Sequence, residues 1–225
     1  MRRVKMKLSS ETIDVLKNFS TVNQNLLVKE GTKLRTMSTM KNILAESEVK
    51  ETFPADFGIY DLSEFLGVLT LVDTPELKFD NDSYLTVNGG QTKIKYFYSD
   101  PSILTSPPEV FNVPELGANI TIKERSLRDI LKASAVMQLP DIIIRSENSK
   151  TIVLEATDIK NSTSNNYTLD LDLTRDGPEF NYHFKAENLK MITGDYELSG
   201  SREAGVSQWV GSKASYWIAM EQQSD

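Results

Sequence analysis

Apolar positions along this chain follow two periods. Leu127, Ile130, Leu131 and Ser134 share one side of a helix turning about 100° per residue, so the spacing predicts a helix over residues 124–138. Thr12, Val15, Leu16 and Phe19 predict another over 10–19, and Leu62, Phe65, Leu66 and Leu69 a third over 62–71. A short fourth helix is predicted over 186–191. Between the helices the period falls to two, which is the signature of strands. Strands are predicted at 25–29, 33–38, 43–49, 57–60, 142–145, 151–157, 167–174, 180–184, 195–199, 206–210 and 214–220. A hairpin is expected where Leu77-Lys78-Phe79 and Tyr84-Leu85-Thr86-Val87 alternate, Asn88-Gly89-Gly90 turns, and Lys93-Ile94-Lys95-Tyr96-Phe97-Tyr98 returns.

The elements repeat. Phe57-Gly58-Ile59-Tyr60 reads as a strand that turns at Asp61 into a helix, and the same step returns at Asn181-Tyr182-His183-Phe184-Lys185. Upstream of each, a helix leads into strand-like sequence. Pro101, Pro107, Pro108 and Pro114 mark an extended connector at about 100–117. The expected fold class is α+β: two similar domains, 6–113 and 114–225, each with two helices packed on antiparallel sheets.

Charge sharpens the picture. The 225 residues carry a net charge of −7, with 25% charged and 39% apolar residues, which are ordinary globular values. This balance argues against tight, open-faced nucleic-acid binding, which needs concentrated positive charge. Local placement can still supply it. Arg125, Arg128 and Lys132 fall within about 60° of one another on the helix side opposite Leu127 and Ile130, with Asp129 beside them. The stripe reads either as a solvated face or as a surface that meets a phosphate backbone. The helix at 10–19 shows Lys17 beside Asp14, the helix at 62–71 shows Glu64 and no base, and the short helix offers Lys185 and Lys190.

Little in the chain suggests catalysis. It has no cysteine, which excludes disulfides, thiol chemistry and cysteine–zinc sites and fits a reducing compartment. There is no Gly-rich phosphate loop and no dinucleotide fingerprint. The one histidine, His183, alternates with Tyr182 and Phe184 as a structural strand residue would. Asp170 and Asp172 interleave with Leu169, Leu171 and Leu173, as in a strand whose acids face water. Neither a cofactor nor a metal is expected. No secretory h-region follows the basic N-terminus and no run reaches membrane-span length, so the cytoplasm is the expected setting, with no membrane partner.

Several segments resemble a known family. Met6-Lys7-Leu8-Ser9 with Leu16-Lys17-Asn18-Phe19, Ile59-Tyr60-Asp61-Leu62 with Phe65-Leu66-Gly67, and Asp100-Pro101-Ser102 are similar to the sliding clamps of T-even-type phages, which are DNA polymerase processivity factors. Asn188-Leu189-Lys190-Met191, Gly194-Asp195-Tyr196 and the closing Ala214-Ser215-Tyr216-Trp217-Ile218-Ala219-Met220-Glu221 extend the likeness to the C-terminus. Residues 1–5 precede the family's usual start and receive no role.

The resemblance implies a homotrimer of two-domain subunits, joined head to tail around double-stranded DNA read without regard to sequence. It implies an ATP-dependent clamp loader, a DNA polymerase held by its C-terminal peptide, and late-transcription sigma-like and co-activator partners, all in the cytoplasm of a phage-infected bacterial host. It makes Lys7, Lys17, Arg125, Arg128, Lys132, Lys185 and Lys190 the DNA-facing set. It puts a partner pocket at Val110, Phe111 and Val113 with Trp217 and Met220, and Met37 and Ile43 as the far wall. Phe111 and Trp217 read equally well as packing anchors. Two rivals stand beside this reading: a β-rich phage structural or interaction protein, and an enzyme with an unrecognised site. The first has no need of a duplicated helix-bearing unit, and the second lacks a catalytic constellation.

Overall fold

The computed structural model describes residues 4–109, 116–147, 151–172 and 179–222. The chain divides into a unit Met1–Glu109 and a unit Val110–Asp225, where the sequence pattern set the division after residue 113. The first unit runs β1 (Val4–Met6), α1 (Ser10–Val22), β2 (Leu26–Val28), β3 (Gly31–Met37), β4 (Ile43–Phe53), β5 (Phe57–Ile59), α2 (Leu62–Thr70), β6 (Glu76–Phe79), β7 (Tyr84–Gly89) and β8 (Thr92–Phe97). A 3-10 turn at Pro101–Ile103 opens the proline-rich stretch. The second unit runs β9 (Gly117–Ile122), α3 (Glu124–Met137), β10 (Asp141–Ser146), β11 (Thr151–Thr157), β12 (Tyr167–Asp172), β13 (Asn181–Lys185), a 3-10 turn (Ala186–Asn188), β14 (Tyr196–Ser201), β15 (Val206–Gly211) and β16 (Ser215–Ala219).

The two units repeat one order: strand, helix, four strands, helix or 3-10 turn, three strands. The pairing repeats too. In the first unit β1 pairs β6, β6 pairs β7, and β7 pairs β8, all antiparallel. In the second, β9, β14, β15 and β16 follow the same order. The remaining strands of the second unit lie in the order β12-β11-β10-β13. Their counterparts form the pairs β3–β4 and β2–β5.

Each unit buries the face its helices predicted. In α1, Thr12, Val15, Leu16 and Phe19 are buried, and Val22 extends the same stripe by one turn beyond the expected end. That face packs on β3 and β4, and α2 packs beside it with Leu62, Phe65 and Leu69 inward. Phe53, Phe57 and Phe79 join the sheets below, with ring centroids 5.9 and 5.5 Å apart. In the second unit α3 packs on β10, β11 and β12 through Leu127, Ile130 and Ser134. Trp209, fully buried, lies edge-on to Phe184 at 5.6 Å and to Tyr196 at 6.2 Å. Burial of each such ring is worth roughly 2–3 kcal/mol.

The helix starts follow local chemistry. Ser9 caps α1 by accepting the Thr12 N–H at 3.2 Å, and Glu51 from β4 accepts the Ser9 N–H and the Thr12 hydroxyl. Asp61 caps α2 by accepting the Glu64 N–H at 3.0 Å, as the strand-to-helix motif implied. Lys123, before α3, makes no side-chain cap. Asp195 serves instead, accepting the Glu124 N–H at 2.8 Å while pairing with Lys123 at 2.8 Å. An acid placed there also suits the positive helix end.

Three expectations are corrected. The fourth helix, expected over 186–191, is a single 3-10 turn. The Leu189 N–H closes a 3-10 bond on the Ala186 carbonyl at 3.1 Å, and the Ile192 N–H, which an α-helix would aim at residue 188, goes to the Tyr216 hydroxyl. The hairpin turn lies one residue later than expected. Gly89 pairs with Thr92 and still belongs to the strand, at a place where a Cβ would meet Val72 Cγ1 at 2.1 Å, and Gly90 takes the left-handed φ of 54°. Part of the N-terminal stretch left without a role is β1: Val4 pairs with Phe79, and Lys5 bridges Glu76 at 3.0 Å.

Candidate nucleic-acid interface

The basic stripe lies on the solvent side of α3. The Arg125 side chain is 86% exposed and that of Arg128 58% exposed, and Lys132 is likewise exposed one turn on. Beneath them Leu127 and Ile130 are buried, so the amphipathic pattern places the bases outward. Two acids share the surface. Arg125 lies 3.7 Å from Asp129, and Arg128 lies 3.5 Å from Glu124 and 3.8 Å from Asp129. These loose, exposed pairs are worth a few tenths of a kcal/mol each, so they dilute the positive field without fixing the side chains. With three bases against two acids, α3 is net positive.

The helices of the first unit differ. On α1, Lys17 is exposed on the same helix as Asp14, and Glu11 pairs with Lys50 from β4 at 2.7 Å. On α2 the only charge is Glu64. Lys7 is exposed in the stretch between β1 and α1. Positive charge on the helices is therefore concentrated on one element of one unit.

The remaining two bases of the expected set have different surroundings. Lys185, at the end of β13, is 24% exposed, and its ammonium donates to Asp141 at the start of β10. Asp141 is wholly buried and also bonds His183 Nε2 at 2.8 Å and the Ile159 N–H at 3.2 Å. Burial alone would raise the Asp141 carboxyl. The bonds from Lys185, His183 and Ile159 outweigh it and hold the group below the usual carboxylate range. Lys185 therefore spends its charge largely inside the unit. Lys190 is exposed, just past the 3-10 turn.

The expected partner pocket is only partly in view. Val110, Phe111 and Val113 lie outside the described residues. In the first unit Ile43 is buried in the core and Met37 is half-buried, its carbonyl accepting the Asn23 side-chain N–H at 2.7 Å. In the second, Trp217 and Met220 are both half-buried, at and just beyond β16. The connector is tied to the first unit where Arg35 donates to the Pro108 carbonyl at 2.9 Å.

Sequence reasoning passed over two charged edges. Among the described residues β8 pairs only with β7, and β12 only with β11. The β8 edge carries the exposed Lys93, Lys95 and Phe97, while β12 carries Asp170 and Asp172. The alternation Lys93-Ile94-Lys95 was visible in the hairpin, but nothing in the sequence marked that strand as an edge.

Two family profiles match the chain. One described as a DNA polymerase processivity factor covers residues 7–104, and one described as the gp45 sliding clamp, C terminal, covers 119–222, so each lies within one unit. The sliding clamp of Vibrio phage KVP40 is 36% identical over 96% of this chain and 99% of its own length. That of Enterobacteria phage T4 is 30% identical over 97% and 98%. A solved PCNA from A. fulgidus, bound to the C-terminal region of FEN-1, matches with a TM-score of 0.74 at 17% identity and covers all of both chains. The repeated unit is thus that of the clamp fold, and the chain belongs to the phage sliding-clamp family of DNA polymerase processivity factors.

Proposed function

We propose that three copies of this chain close head to tail into a ring around duplex DNA and there tether the replicative polymerase. The observation that carries this reading is the repeated unit with unlike edges: a cationic β8 in the first unit and an anionic β12 in the second. An unpaired edge strand is a ready template for another strand. Opposite charge favours β8 of one copy against β12 of the next, and it disfavours either edge against itself. The ring acts without chemistry of its own.

Inside the ring, Arg125, Arg128 and Lys132 face the phosphates, with Lys7, Lys17 and Lys190 as thinner contributions and Lys185 weakened by its bond to Asp141. A ring is retained by topology, so sparse contacts serve it better than tight ones, and phosphate contacts carry no sequence information. An ATP-dependent loader opens and places the ring. Partners, including the polymerase C-terminal peptide and late-transcription sigma-like and co-activator proteins, dock on the apolar surface at Trp217 and Met220. The setting is the cytoplasm of the infected bacterial host.

The test is topological. Protein loaded by its phage's own loader onto nicked circular DNA is freed of excess by gel filtration, and the circle is then cut once. The proposal expects stable retention on the circle and rapid loss after cutting. Equal retention on circular and linear DNA would mean binding by affinity and would overturn the ring.

A further inference from the structure

The second unit lacks an α-helix where the first has α2. In the first unit α2 packs beside α1 and fills that flank. In the second the corresponding segment makes only the 3-10 turn at Ala186–Asn188, and an open trough of about 480 Å³ runs along α3. Its floor is apolar: Leu127 and Leu189 are 6% and 5% exposed. Leu131 from α3 and Met191 and Ile192 from the facing segment form its walls. Arg128 and Lys132 stand at its mouth, with Glu124 at one end, 3.5 Å from Arg128.

The facing wall is held in place by two buried phenols. The Ile192 N–H donates to Tyr216 Oη at 3.1 Å, and the Ile192 carbonyl accepts from Tyr196 Oη. Both tyrosines are almost wholly buried and stack edge-on at 6.0 Å. Burial pushes the Tyr216 phenol up to about 12 and raises Tyr196 as well, so both remain protonated donors through the physiological range. The trough is therefore preformed, which reduces the ordering cost of filling it.

We propose that this trough docks a short partner-protein segment that carries aliphatic side chains flanked by carboxylates. The aliphatic groups meet Leu131, Met191 and Ile192, and the carboxylates meet Arg128 and Lys132. The lining decides the class of occupant: a phosphate backbone would use the two bases and leave the apolar floor empty, whereas an acidic aliphatic segment uses both. A volume of this size is within the usual range of ligand sites. Every residue involved belongs to one unit, so the inference stands or falls apart from ring closure. Because Arg128 and Lys132 also belong to the stripe proposed to face DNA, duplex and segment compete for them.

The test uses the full-length protein with labelled leucine, isoleucine and methionine methyl groups, observed by NMR. A capped peptide of leucine and aspartate is titrated in, then its leucine–lysine counterpart, then a short blunt duplex. The proposal expects saturable shifts at Leu131, Met191 and Ile192 with the aspartate peptide alone among the two. It also expects at least about tenfold weaker binding for the Arg128→Glu/Lys132→Glu double variant and for Met191→Gln. Circular dichroism and mass would confirm that each variant keeps its fold and assembly. Absence of shifts with the aspartate peptide, an equal response to both peptides, or shifts at these methyls with the duplex alone would each overturn it, the last by assigning the trough to DNA.

Discussion

Asp141 joins three parts of the second unit through one carboxylate: the start of β10, the end of β13 through His183 and Lys185, and the loop after β11 through the Ile159 N–H. Removing the charge leaves a largely enclosed ammonium without its partner, so Asp141→Asn is expected to cost roughly 3 kcal/mol. The carboxyl ionises below its ordinary 3.8 in the folded chain, so the folded state binds fewer protons than the unfolded state through the acid range. Its contribution is complete above that ordinary value and is lost as pH falls through the depressed folded one. Urea midpoints measured down the acid limb should fall for the wild type and fall less steeply for Asp141→Asn. Parallel limbs would show that the carboxylate is not the group responsible. Gly58 makes the opposite kind of demand, for space. A Cβ there would meet the Ser99 carbonyl oxygen at 2.4 Å and Leu104 Cδ1 at 2.7 Å, and the Ser99 N–H donates to the Gly58 carbonyl at 2.9 Å. Gly58→Ala should therefore destabilise by about 1–3 kcal/mol, read as a lower midpoint with an unchanged slope.

At the scale of elements, the helices show what a pattern can and cannot announce. Thr12, Val15, Leu16 and Phe19 are buried as their spacing implied, and the stripe Arg125, Arg128, Lys132 lies outward as predicted, because in both cases an amphipathic face decides the orientation. Leu66 and Leu131, read as core, are not fully buried, since the stripe edges depend on what packs alongside. The segment after β13 was expected to be helical, yet its Ile192 N–H goes to the Tyr216 hydroxyl, a partner 24 residues away that no local pattern contains. The β1 strand escaped for a similar reason: three residues carry too little period, and its partner β6 lies far along the chain. The Asp195 cap of α3 was equally hidden. Two expectations belong at this scale. Asp61→Ala should cost about 1 kcal/mol through loss of the α2 cap, measured by thermal or urea unfolding. Replacing Arg125, Arg128 and Lys132 together with alanine should leave the melting temperature nearly unchanged, at under about 0.5 kcal/mol per exposed site. DNA retention should weaken, and the slope of log affinity against log salt should become shallower by roughly 0.9 for each phosphate no longer neutralised. An unchanged slope would return the stripe to the role of a solvated face.

At the scale of the whole molecule, a net charge of −7 and a role on DNA are compatible because retention by a ring asks little of affinity. The charge that matters then lies at particular places: bases on α3, acids on β12, bases on β8. If β8 meets β12 of the next copy, Lys93→Glu with Lys95→Glu should break the assembly, and Asp170→Lys added to them should restore part of it by exchanging the signs across the contact. Charge repulsion of this kind acts between copies, so the isolated chain should keep its melting behaviour at low concentration. The most direct measurement is the mass of the native assembly, by sedimentation velocity across micromolar concentrations at moderate salt. A closed clamp predicts a species of three chain masses that dominates as concentration rises and gives way to the single chain in the Lys93→Glu/Lys95→Glu variant. A wild-type protein that sediments only as a single chain throughout that range would contradict it.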